Sequence, residues 1–257
     1  MVRRPSGDGL EPLRAFGSLT MALSSDLASE VAKIFRESWS SRDGQVIPSP
    51  ESLQLGNDAV ELDATVLYAD LADSTGLVNT TGPQFAAEIY KTFLSCSARI
   101  IKKRGGQITA YDGDRIMAVF IGGSKNTSAA QSALQINGAV TNIIKPLLKA
   151  QYSKATYDVG HSIGIDCSKL LVARIGVKND NDLVWVGRAA NYATKLCALR
   201  DGEFKTWITG DVFDQMNANT KVWQDGRPIW EQRSWTSRNG FRVYRSNWWW
   251  NPDHVPV

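Results

Sequence analysis

Residues 107–122 read QITAYDGDRIMAVFIG, and this stretch decides the fold. Two strand-forming runs meet at Asp112-Gly113, a pair suited to a tight hairpin because glycine adopts positive φ without strain. Upstream, residues 64–71, ATVLYADL, read as a short apolar strand that ends near a carboxylate, Asp70. Between the two, residues 83–105, PQFAAEIYKTFLSCSARIIKKRG, carry the marks of a helix: Pro83 at the start, Lys102 and Lys103 in the last turn, Gly105 beyond. Downstream, residues 128–150 read as a second helix that Pro146 kinks or breaks near its end. Residues 156–176 and 182–187 supply further strands, and residues 188–202 a third helix ending before Gly202. The order strand, helix, hairpin, helix, strands predicts an α+β sandwich with a mainly antiparallel sheet and helices packed on it.

The chain has 257 residues, enough for one large domain or one domain plus an extension. Its 43% hydrophobic and 21% charged residues are those of an ordinary globular protein. A net charge of +3 without a basic stripe gives no argument for nucleic-acid binding, though it leaves room for local positive charge. Cys96, Cys167 and Cys197 are odd in number and form no CxxC pair, so they read as reduced thiols rather than a zinc site or disulfide framework. His161 and His254 lack ligand spacing. No apolar run approaches the roughly 18 residues of a membrane span, and the N-terminus does not read as a cleavable leader, so a cytoplasmic protein is expected.

Residues 1–12 are rich in glycine, proline and charge and are expected to be poorly ordered. From Ser18 to about Trp39 the chain reads as an amphipathic helix, with Leu19, Leu23, Leu27, Val31, Ile34 and Phe35 mostly three or four apart. A breaker-rich connection follows over residues 40–58. The predicted division is an extension over 1–58, a folded domain over 59–250 and a tail over 251–257. The cluster Trp248-Trp249-Trp250 is expected to pack a terminal strand or tail onto the domain.

Asp70 ends one strand and Asp114 follows the hairpin turn. If that strand lies beside the hairpin, both carboxylates converge at one edge of the sheet. Two such carboxylates can hold a pair of hard divalent cations together with triphosphate oxygens, the arrangement used for in-line phosphoryl transfer. One ion would lower the pKa of a ribose 3′-hydroxyl, and both would neutralise phosphate charge. The backbone from Leu71 to Thr75 and the hydroxyls of Ser74 and Thr75 could cradle phosphate oxygens, although Asp followed by Ser-Thr also suits a helix cap.

Three blocks in order carry a family resemblance: VLYADLADST (66–75), YDGDRIMAVF (111–120) and LVWVGRAANYATKL (183–196). Together they resemble the class III adenylyl/guanylyl cyclases over about residues 65–199. The resemblance implies a ferredoxin-like βαββαβ core and a reaction closing a nucleoside triphosphate into a 3′,5′-cyclic monophosphate with release of pyrophosphate. It assigns Asp70, Leu71 and Asp114 to two Mg2+ or Mn2+ ions per site. It also implies a head-to-tail homodimer whose sites are composite, with Asn191 of the other chain orienting the ribose. The N-terminal helix would then brace that dimer or sense a signal.

The base-reading positions depart from the adenylyl and guanylyl patterns. They fall on Ala110 and Val184, which cannot hydrogen-bond a purine edge. Tyr68 stands where the family has Phe, a position lining the base pocket of the opposite site, and Arg115 follows Asp114 directly as a donor for a base carbonyl. The alternative is a core aromatic and a surface charge. This pattern resembles the pyrimidine cyclases of bacterial Pycsar anti-phage systems, which implies UTP or CTP as substrate, with UTP the first choice, and a separate effector that reads the cyclic product. The family's transition-state Arg falls on Lys195, four residues after Asn191; Lys keeps the charge and loses the bidentate fork. Arg188 or Arg174 would be compensating candidates, and Lys178 a further candidate for the phosphates. Two alternatives stand: an adenylyl or guanylyl cyclase with atypical base contacts, or an inactive nucleotide-binding regulatory module.

Overall fold

The computed structural model describes residues 12–200 and 202–255, with side chains from residue 23 onward. The expectation for residues 1–12 therefore lies almost wholly outside the described residues. In chain order the elements are α1 (Pro12–Arg36), β1 (Ser40–Asp43), β2 (Asp58–Ala72), α2 (Ser74–Thr80), α3 (Pro83–Lys103), β3 (Gln107–Asp112), β4 (Arg115–Ile121) and α4 (Lys125–Ala139). After a π-helical turn over Val140–Ile144 come α5 (Lys145–Gln151), β5 (Gly160–Val177), β6 (Asp180–Val186), α6 (Arg188–Cys197), β7 (Thr206–Thr209), α7 (Gly210–Gln215), β8 (Glu231–Trp235) and β9 (Phe241–Ser246).

The sheet runs β3-β4-β2-β5-β7-β9-β8, with β1 paired to β2 and β6 to β5. Its first four strands, with α3 and α4 between them in sequence, form the ferredoxin-like βαββαβ core. Pairing is antiparallel except at β1–β2 and β5–β7. The hairpin forms where the sequence places it, shifted by one residue: Asp112 pairs with Arg115, so the loop is Gly113-Asp114. Gly113 takes the positive φ of 60°. That register leaves Asp114 at the loop tip.

Strand β2 is apolar on both faces because both are covered. Leu67, Ala69, Ile116 and Ile163 face α3 and α4. Val66, Met117 and Leu170, with Tyr68 beside them, face α6 through Ala189 and Ala193. Gly164 lets α6 approach, since a methyl group there would collide with the Ala193 carbonyl and the Cys197 amide.

Helix α3 buries Ala86, Ile89, Phe93, Ser97, Ile100 and Ile101, spaced mostly three or four apart. Pro146 does not cut the second helix. Lacking an N–H for the carbonyl of residue 142, it is accommodated by the π-helical turn just upstream. The third helix ends at Cys197, earlier than the sequence pattern suggested.

Helix α4 is made of small residues and is buried almost all round, between the sheet and the C-terminal segment. The Trp250 amide donates to the Leu134 carbonyl at 2.9 Å, and Asn137 and Gln135 donate to the carbonyls of Trp248 and Pro252. Trp250 is fully buried against this helix, the packing expected of the cluster, while Trp249 stays half-exposed. At the other end, α1 leaves Leu23, Leu27, Val31, Ile34 and Phe35 exposed. The connection over 40–58 contributes β1 and the buried Leu53. Among the described residues no helix is long and apolar enough to cross a membrane.

Candidate active site

Strands β2 and β4 pair so that Asp70 lies opposite Arg115, next to Asp114 in the hairpin loop. Tyr68 pairs with Met117, and Met117 with Ala110, so these residues share one face of the sheet with Asp70. The strand thus lies beside the hairpin, the condition set by the sequence reading for the two carboxylates to converge. Asp70 is only 6% exposed. Its Oδ2 accepts from the Arg200 guanidinium at 2.7 Å and lies 3.5 Å from that of Arg115. Burial works against the charge on Arg115, and the Asp70 carboxylate, with Cys197 and Asp112 nearby, more than offsets it, so the pKa lies above the usual value. Tyr68 donates its hydroxyl to the Met117 sulfur at 2.9 Å.

The Oδ2 of Asp114 is buried without a hydrogen-bond partner, a costly state for a carboxylate oxygen unless something binds there. Among the described residues no group of three or more His, Cys, Asp or Glu is arranged to hold a metal. Two carboxylates plus a main-chain carbonyl fit instead the way Mg2+ or Mn2+ is held jointly by protein and substrate phosphates. The residues present therefore fit a divalent ion.

The loop after Asp70 turns sharply. Asp73 adopts the left-handed conformation at φ 55°, and α2 starts at Ser74 with no side-chain cap bond. Ser74 is half-buried and Thr75 exposed. A cavity of about 850 Å3 opens beside this loop, between Ala72-Asp73, Thr80-Thr81 and residues 151–160. Tyr157 lines it, donating to the Ala72 carbonyl at 3.2 Å. Burial, with the charges of Asp73 and Asp114 nearby, pushes its hydroxyl up to about 12, so Tyr157 is a donor at neutral pH.

Asn191 and Lys195 lie on the exposed face of α6, one turn apart. The Asn191 amide donates to the Gly187 carbonyl at 3.2 Å. Val184 and Lys178 are elsewhere. Val184 pairs with Ala173 of β5, whereas Asp70 pairs with Ser162 of the same strand. Eleven residues of strand (162 to 173) separate those levels, about 35 Å at the usual rise. Within one chain these two residues do not share the Asp70 site. They line a cavity of about 610 Å3 with Ile34 of α1, Glu37 just after it, Trp39 and Leu55.

The two compensating arginines are committed. Arg188 donates to both oxygens of the buried Asp166, to the Cys167 carbonyl at 2.7 Å and to Asp211. Burial raises the Asp166 pKa even though Thr209 and Arg188 oppose it. Arg174 donates to Asn181 and to the Leu53 carbonyl. Sequence reasoning missed Arg200 and Tyr157. Neither belongs to a block, and Arg200 lies 130 positions from its carboxylate partner. His161, opposite Leu71 in the register, is buried and held neutral; burial, aided by the charges of Lys205 and Lys145, drops its pKa to about 3.

No protein-family model matches the chain. It is 48% identical over 232 residues to a uridylate cyclase of Burkholderia cepacia, covering 90% of this chain and 99% of that protein. A uridylate cyclase of Xanthomonas perforans is 45% identical over 234 residues, covering 91% of this chain and all of the other. Among solved structures, the guanylyl cyclase Cya2 superposes with a TM-score of 0.63 at 15% identity, over 77% of this chain and 98% of that one. The adenylyl cyclase CyaB from P. aeruginosa gives 0.61 at 18%, over 73% and 95%. The structural likeness establishes the class III cyclase fold, and the sequence likeness narrows it: the chain is a nucleotidyl cyclase belonging to the uridylate cyclase family.

Proposed function

We propose that the chain converts UTP, in preference to CTP and the purine triphosphates, to the 3′,5′-cyclic monophosphate and pyrophosphate, working as a homodimer with composite sites. The observation that carries this reading is the shared sheet face of Asp70, Tyr68 and Arg115, with the unpartnered Asp114 oxygen beside it. The uridylate cyclase relatives supply the choice of base. Asp70, Asp114 and the Leu71 carbonyl would hold Mg2+ or Mn2+. When bound, such ions supply Lewis-acid chemistry, acidifying the ribose 3′-hydroxyl and offsetting charge on the phosphates.

The remaining work falls to side chains. Asn191 orients the ribose so that the 3′-oxygen faces the α-phosphorus in line with the leaving pyrophosphate. Lys195 meets the charge that grows on the transferring phosphoryl group. Ser74 and Thr75 offer hydroxyl donors to the phosphates. Tyr68 fills space that a purine would need, and Arg115 donates to a carbonyl oxygen of the base, which uracil offers at two positions. Ala110 and Val184 leave purine edges unread.

Two copies are needed because Val184 stands about 35 Å of strand from Asp70 in its own chain, and Lys178, past the end of β5, further still. A head-to-tail pair would bring the third block of one chain to the carboxylates of the other. The resemblance to Pycsar cyclases extends the proposal to phage defence through a separate effector that reads the product.

Incubating the purified protein with ATP, GTP, CTP and UTP plus Mn2+, and separating products by mass, tests the reading. A dominant cyclic UMP peak is expected. Cyclic AMP or GMP as the main product would overturn the roles of Tyr68 and Arg115, and no cyclic product would favour a regulatory module.

A further inference from the structure

Arg200 lies in the irregular segment between α6 and β7, outside every motif of the sequence. One nitrogen of its guanidinium, Nη2, donates to Asp70 Oδ2 at 2.7 Å and to the Leu71 carbonyl oxygen at 2.9 Å. These are two of the three groups assigned to the divalent ion. An oxygen ligand of Mg2+ stands about 2.1 Å from the ion, so a nitrogen bridging the same two oxygens and the ion exclude each other. We propose that Arg200 is the resident cation of this site: it neutralises Asp70 when no metal is bound, and a divalent ion binds only by displacing it.

The inference rests on the assignment of Asp70 and Leu71 as metal ligands. Three observations support an exchange over a fixed structural pair. Asp70 is almost wholly buried, so it needs a positive partner in every state. Arg115 approaches the same Oδ2 at 3.5 Å, too far for a good hydrogen bond, and does not replace the Arg200 contact. Arg200 itself is 41% exposed at its side chain and lies outside any helix, so its withdrawal breaks no backbone ladder. By contrast, Arg188 donates through two of its nitrogens to both oxygens of its buried carboxylate, donates to Asp211 besides, and begins a helix. That pair reads as permanent. The consequence for the reaction is an order of events: metal alone competes with a guanidinium, whereas metal carried by a triphosphate brings negative charge for the displaced arginine to meet.

The test is Mn2+ binding to the full-length protein without nucleotide, followed by the electron paramagnetic resonance of free Mn2+, in native protein and in Arg200→Gln, Arg200→Lys and Asp70→Asn, with thermal melts to confirm folding. Arg200→Gln should bind Mn2+ about tenfold more tightly, the effect of one charged hydrogen bond discounted for partial exposure. Arg200→Lys should fall between, and Asp70→Asn should abolish binding in both the native and the Arg200→Gln background. Equal or weaker Mn2+ binding in Arg200→Gln and Arg200→Lys, with Asp70→Asn still abolishing it, overturns the exchange and leaves the metal site standing. Binding unaffected by Asp70→Asn overturns the metal assignment and the exchange with it.

Discussion

The two faces of the central sheet are built on opposite principles. On one, α3 and α4 close over Leu67, Ala69, Ile116 and Ile163, and the C-terminal segment is laced over α4 by Asn137, Gln135 and the Trp250 amide. The polar atoms it buries without a hydrogen-bond partner, among them Ser97 Oγ and both ring nitrogens of the neutral His161, carry no charge. On the other, α6 packs beside Tyr68, Asp70 is buried and Arg115 stays part-exposed, with guanidinium groups crowded on one carboxylate and an Asp114 oxygen without a partner. The difference teaches that buried charge is kept on the face to which chemistry is assigned, while the face under α3 and α4 buries apolar and neutral groups. The α6 face keeps unmatched charge, which a bound triphosphate and its ions would satisfy.

Substitutions that separate stability from activity would break this contrast or sharpen it. The largest effect is expected at the carboxylates. Asp70→Asn or Asp114→Asn should slow cyclisation by roughly a thousandfold or more while the melting temperature moves little. Full activity in either variant, read as product per enzyme, would end the two-metal assignment. On the face under α3 and α4 the expected loss is one of stability. Trp250→Ala should cost about 3–5 kcal/mol in urea unfolding because it empties a fully buried site.

Gly138→Ala is a narrower probe of the same packing. Its methyl group would run into the Trp250 carbonyl, for a cost of about 1–3 kcal/mol despite the gain in helix propensity. A neutral or stabilising result would show that the C-terminal segment is looser on α4 than its hydrogen bonds suggest. Back on the α6 face, Lys195→Arg should raise the turnover number by up to about tenfold if this position meets phosphoryl charge, since the fork restores a second hydrogen bond. An unchanged rate would remove Lys195 from the reaction. The smallest change is expected from Phe35→Ser, 84% exposed on α1: within about 0.5 kcal/mol for folding. A marked loss of self-association in that variant, measured by sedimentation, would assign α1 to bracing the dimer.

Much of the site was legible before any coordinates. Asp112-Gly113 announces a hairpin because few residue pairs tolerate its backbone, and Asp114 follows from that turn within two positions. Asp70 lies near the end of an apolar run that reads as a short strand, whereas the strand observed starts earlier, at Asp58, and runs past Asp70 to Ala72. The register shift that puts Gly113-Asp114 in the loop was not legible, because it depends on which residue takes the positive φ, and that is settled by pairing with β2 as well as by the turn itself. The form the chain takes before Pro146 was likewise not legible. Proline propensity called for a kink or a break, and the structure answers with a π-helical turn, buried at Val140 and Ile144, between two helical stretches.

What the sequence determined by itself is local: strand and helix periodicities, the turn, the carboxylates at strand end and loop, and the replacement of purine-reading side chains by Ala110 and Val184. What only the tertiary structure decided is which charges meet. Arg188 is drawn to Asp166 and so is held in a structural pair, Arg174 is held by Asn181 and the Leu53 carbonyl, and Arg200 lands on Asp70. No sequence window links residues 130 positions apart. Their pairing is fixed by the cost of leaving a carboxylate uncompensated once the sheet and α6 have taken it out of water.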